Sequence, residues 1–60
     1  MLNIALELPD ELAWAFAEFL KRAGHSDYRQ LAASDQEARE MQEAGERLRI
    51  AFAEKGIAPR

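Results

Sequence analysis

Cysteine is absent from this 60-residue chain, and histidine occurs once. Those two facts remove the disulfide staple, the thiolate metal centre and the His-rich metal site from consideration. No apolar run approaches the roughly 18 residues of a membrane span, and Glu7, Asp10 and Glu11 interrupt the start, so neither a transmembrane helix nor a signal peptide is expected. Basic residues are outnumbered, 8 against 11, for a formal net charge of −3. Nucleic-acid binding would therefore need a local basic patch rather than a basic whole. Only 3 glycines are present and none forms a phosphate-cradling loop; paired catalytic carboxylates and metal-ligand spacings are missing as well. So short a chain leaves little room for a pocket of several hundred Å3, and no enzyme and no cofactor are expected.

Shortness has an energetic consequence too. A chain of about 60 residues buries only about 60% of its unfolded surface, and a lone core of this size seldom supplies more than ~3–5 kcal/mol. With staples and metals excluded, self-association is the supplement left. The 48% hydrophobic content, with charges of both signs interspersed, places residues 1–60 in one small folded domain. The expected location is the cytoplasm of a bacterial-type cell.

Patterning predicts a mainly α chain of strand-helix-helix form. Leu2, Ile4, Leu6 and Leu8 alternate with Asn3, Ala5 and Glu7, the period of a half-buried strand over 2–8. Pro9, with Asp10 and Glu11 behind it, suits the start of a helix over 9–23, and Lys21, Arg22 and a left-handed Gly24 suit its end. Ser26 and Asp27 cap a short helical connector over 26–32. Ser34-Asp35-Gln36-Glu37 reads as a capping box opening a helix over 35–55, and Gly56 with Ile57 folded back on Phe52 reads as its Schellman stop. One strand without an intrachain partner implies an antiparallel two-stranded ribbon across a homodimer two-fold.

The first helix is apolar nearly all round. Leu12, Phe16, Phe19, Leu20 and Ala23 form the expected core stripe, which leaves Trp14 off it as a contact residue. The second long helix carries a seam of Ala38, Met41, Gly45, Leu48 and Phe52, and its internal glycine implies that a ring, Phe16 or Trp14, presses on the backbone there. Ile50, Ala53 and Ile57 make a second apolar line. Asp35, Arg39, Glu43 and Arg47, four apart, read as a solvated face with ladder pairs. The expected interface residues are thus Leu2, Ile4, Leu6, Leu8, Trp14, Phe16 and Ile50. His25-Ser26-Asp27-Tyr28-Arg29 is the one cluster that looks chemical, but neighbours in a connector rarely converge as a nucleophile, base and orienting group must. It reads as a capped turn with Tyr28 as anchor and Arg29 tying it down.

The stretch Asn3-Ile4-Ala5-Leu6-Glu7-Leu8-Pro9-Asp10-Glu11-Leu12 resembles the ribbon-helix-helix family, dimers whose paired strands enter the DNA major groove and which are often repressors or antitoxins. The resemblance covers the first third of the chain and implies that Asn3, Ala5 and Glu7 face the bases. Glu7 would repel phosphate there, and acidic residues open the 35–55 helix where that family holds a phosphate. A Ser-Asp-Tyr-Arg connector and a Gly-Ile-Ala-Pro-Arg tail are also similar to short uncharacterised bacterial proteins of mobile elements. The expected function is a non-catalytic homodimeric protein-interaction module, binding itself or another protein, with no membrane and no metal; a ribbon-helix-helix-like DNA-binding regulator or antitoxin is the alternative. A basic stripe of Lys21, Arg22 and Arg29 would favour that alternative.

Overall fold

Pro9 divides the chain into an exposed N-terminal segment without regular secondary structure and a helical body. The computed structural model describes residues 1–60 and contains three helices, α1 (Asp10–Arg22), α2 (His25–Leu31) and α3 (Asp35–Glu54), and no strand. The Pro9 carbonyl accepts the first bonds of α1, from the Leu12 and Ala13 N–H groups at 3.1 Å. Asp10 and Glu11 lie at the positive helix end and Lys21 and Arg22 at the negative one. Gly24 is not left-handed as expected. At φ −104° and ψ 178° it is extended and becomes the N-cap of α2, its N–H held by the Asp27 carboxylate at 2.8 Å.

The connector is a true helical turn, tied down from its far end. Arg29 Nε donates to Asp35 Oδ1 at 2.5 Å and its Nη1 to the Ala32 carbonyl at 3.2 Å, which links the end of α2 to the first turn of α3. Ser34 Oγ accepts the Glu37 N–H at 3.1 Å, and Glu37 Oε1 reaches back to the Ala33 N–H at 2.8 Å, one residue earlier than a standard box. At the other end of α3, Gly56 takes φ +86°. The Ile57 N–H bonds the Phe52 carbonyl at 2.9 Å and the Gly56 N–H bonds the Ala53 carbonyl at 3.0 Å, the paired bonds of a Schellman stop.

α1 and α2 both pack on α3 and not on each other. The buried residues are Ala13, Ala17 and Leu20 of α1 with Ala38 and Gly45 of α3, 5 of 60 in all. The core stripe of α1 is therefore rotated from the expected one: only Leu20 is common to both, while Leu12, Phe16 and Phe19 stay exposed. Small residues let the helix axes come close, and bulky side chains are displaced to the flanks of the seam. Phe16 stacks on Phe19 at 5.4 Å between centroids and meets Phe52 edge-on at 6.5 Å, outside the buried line. A ring does press on Gly45, but it belongs to Tyr28. A Cβ at Gly45 would fall on the Tyr28 hydroxyl, well inside contact distance, and 3.4 Å from Leu20 Cδ2.

The strand over 2–8 and the ribbon built on it are not present. Residues 1–9 carry no regular secondary structure and are exposed, and no backbone hydrogen bond outside the helices involves residues 1–8. A strand needs a neighbour as well as a period, and the chain has no second segment of that period. Openness shows in the dimensions. The radius of gyration is 12.2 Å, against about 10 Å for a compact domain of this length. The accessible surface is 5129 Å2, whereas the mass scaling for a compact monomer of 6.8 kDa gives about 4,000 Å2.

The contact at Gly45 gives a test of sign. Gly→Ala inside an unobstructed helix stabilises by about 1 kcal/mol. Here Gly45→Ala should instead destabilise by about 1–3 kcal/mol through overpacking. Tyr28→Phe, which removes the obstructing oxygen, should recover part of that loss in the double variant; urea unfolding at one fixed protein concentration reads both.

Candidate interaction surface

Consecutive residues on a helix lie about 100° apart, so positions one residue ahead of a buried stripe form a parallel stripe beside it. Ahead of Ala13, Ala17 and Leu20 stand Leu12, Phe16 and Phe19, which are 54%, 44% and 53% exposed. α3 continues this face with half-buried Met41 and Phe52 and with exposed Leu48, and α2 adds Leu31, 84% exposed. Between the three helices the face sinks into an open groove of about 620 Å3, lined by Ala15, Phe19, Ala23, Tyr28, Leu31 and Met41, with Arg22 and Asp27 at its rim. A concavity of that size was not expected of so short a chain. It arises because α1 and α2 each pack on α3, leaving a trough between them.

A second, smaller hollow of about 280 Å3 lies on the other side of the α1–α3 seam, lined by Ala17, Ile50, Ala53, Ile57 and Pro59, with Glu46 and Arg49 beside them. The C-terminal residues reach it by folding back, and Lys21 Nζ donates to the Arg60 carbonyl.

The seven residues expected at an interface do not form one patch. Leu2, Ile4, Leu6 and Leu8 lie on the N-terminal segment, together with the would-be DNA-facing Asn3, Ala5 and Glu7. Phe16 belongs to the α1 stripe and Ile50 to the smaller hollow. Trp14, 41% exposed, sits two positions before Phe16, so it projects from nearly the opposite side of α1. Leu12, Phe19, Leu31, Met41 and Leu48, also apolar on this face, are not among those seven. Four of them, Leu12, Phe19, Met41 and Leu48, fall on the stripes expected to pack inside, and an all-round apolar helix gives periodicity no phase by which to separate a buried face from an exposed one.

The remaining polar clusters resolve into structural pairs. His25 Nδ1 lies 3.2 Å from Gln42 Oε1, Asp27 holds the Gly24 N–H and Tyr28 lies on Gly45, so each of these members of the chemical-looking run has a partner outside the run. Each cation of the envisaged basic stripe already has a carboxylate: Arg22 and Lys21 share Glu18 Oε2 at 3.2 and 4.0 Å, and Arg29 holds Asp35. That last pair takes Asp35 from Arg39, and of the expected ladder only Glu43–Arg47 forms, at 3.6 Å. No group of His, Asp and Glu residues is arranged to hold a metal, and no helix is long and apolar enough to cross a membrane.

The model of a family of unknown function (DUF7706) matches residues 1–60, and the chain belongs to that family. No curated protein and no solved structure matches it.

Asp27 separates the structural reading of the connector from a chemical one. Asp27→Ala removes the acceptor of the Gly24 N–H and should cost about 1 kcal/mol of stability. Asp27→Asn, which keeps an oxygen acceptor, should recover most of it; thermal unfolding followed by far-ultraviolet circular dichroism is the readout.

Proposed function

We propose that this family member is a non-catalytic interaction module that works as a homodimer, burying the Leu12, Phe16, Phe19 and Leu48 face against a second copy. The single observation that carries this reading is area. The chain exposes roughly 1,100 Å2 more than a compact monomer of its mass, by difference between 5129 Å2 and the scaling value. A standard interface takes about 800 Å2 from each partner. Burying the excess would bring the chain to the surface expected of a finished domain.

Composition of the face supports the same reading. It holds two phenylalanines and two leucines, with the charged Arg22 and Asp27 only at the rim of the adjoining groove, and aromatic enrichment with charge depletion is the signature of an interface centre. Monomeric proteins seldom leave such a patch open. A two-fold arrangement is the simplest closure, because one self-complementary patch then covers itself without leaving a free end. The core contributes little on its own. Four of its five buried residues are alanine or glycine, whose side chains remove little apolar area from water, so a partner supplies stability as well as cover.

Sedimentation velocity at micromolar concentration should give twice the 6.8 kDa chain mass. Phe19→Asp should weaken the dimer by roughly 30-fold or more, the change expected when a ~2 kcal/mol hot spot is lost. A stably folded wild-type monomer at that concentration would overturn the proposal, as would a dimer indifferent to Phe19→Asp.

A further inference from the structure

We infer that the groove between α1 and α2 is the seat of the N-terminal arm, residues 2–8, of the second copy, so that the two chains exchange arms. The inference rests on the dimer reading above and specifies what one copy contributes to the other. Leu2, Ile4, Leu6 and Leu8, which alternate along the arm, are 85%, 76%, 73% and 40% exposed. The groove presents the complementary surface, apolar along Phe19, Leu31 and Met41 and open on its outer side. An extended segment laid there keeps its outward N–H and C=O groups in water, so no buried backbone group is left unpaired. The alternative of adding a strand to a sheet is closed, because the protein has no sheet.

Lengths agree. Seven extended residues span about 23 Å, and the 13 residues of α1 about 20 Å. The four apolar anchors of the arm therefore run beside α1 over a comparable distance. In its own chain the arm stays out of the groove, since none of residues 1–8 lines it. Across a two-fold, each arm is free to enter the groove of the other copy.

The absence of cysteine makes a direct test practical. Single-cysteine full-length chains, Leu2→Cys, Ile4→Cys or Leu6→Cys, would each be mixed with Leu31→Cys and oxidised. At least one mixture should give a disulfide-linked heterodimer on a non-reducing gel, and the paired change Ile4→Asp with Leu6→Asp should weaken the wild-type dimer at least tenfold while leaving the helical circular dichroism unchanged. Disulfides only between two arms, or only between two Leu31→Cys chains, would overturn the arm exchange. So would a dimer that the two aspartates leave unweakened, and in that case the dimer reading itself stands. A wild-type chain that sediments as a monomer removes both.

Discussion

The fold turns on the meeting of Tyr28 and Leu20 over Gly45. α3 has no side chain at that point, and the space is taken from one direction by the ring of α2 and from another by the leucine of α1. Because α1 and α2 do not pack on each other, this shared contact with α3 relates them. The glycine costs α3 about 1 kcal/mol of helix propensity. In return the ring of Tyr28 approaches the helix backbone itself, which no residue with a Cβ would permit. The hydrogen bonds around α2 hold the ring at that position: Asp27 on the Gly24 N–H at its start, Arg29 on Ala32 and Asp35 at its end. A seven-residue helix is too short to persist alone, so these ties and the ring contact make the connector an element of structure.

A seam built from alanine and glycine determines what happens to the large side chains. Helices that approach closely leave no space between them for phenylalanine, and the rings are set along the edge, where they touch each other without being covered. Phe16, Phe19 and Phe52 form such a row. The same economy that lets 60 residues form a three-helix unit thus generates the exposed apolar face. Core and exposed apolar face are neighbouring stripes of the same two helices.

Helix ends were legible in the sequence because each end is a local event. Pro9 with its two acidic followers, Ser34 with Glu37, and Gly56 with Ile57 each satisfy backbone groups within a few residues, and the observed bounds Asp10–Arg22 and Asp35–Glu54 fall within one residue of those expected. Gly24 was misjudged because two caps competed for it, and the start of α2 took precedence over the end of α1. Residues 2–8 were misjudged for a different reason. Period two specifies an extended backbone with one apolar edge, which a strand in a ribbon and an arm in a groove share; only the partner distinguishes them. The ring over Gly45 could be anticipated from the glycine, but its identity could not, since tertiary contacts between distant segments leave no periodic trace.

Charge completes the assignment of faces. On α3 the side opposite Ala38 and Gly45 carries Gln36, Glu40, Glu43, Arg47 and Glu54, all exposed, and it holds much of the acidic excess behind the net charge of −3. Two copies brought together through that side would set carboxylates against carboxylates. The opposite arrangement meets no such cost: the row from Leu12 to Phe19 has Glu18 turned away into its pairs with Arg22 and Lys21, and Leu48 and Met41 continue the row without a charge. Repulsion on one side and uncharged apolar surface on the other act together, so in the proposed dimer the distribution of acid on α3 would restrict association to the face that the small-residue seam leaves uncovered.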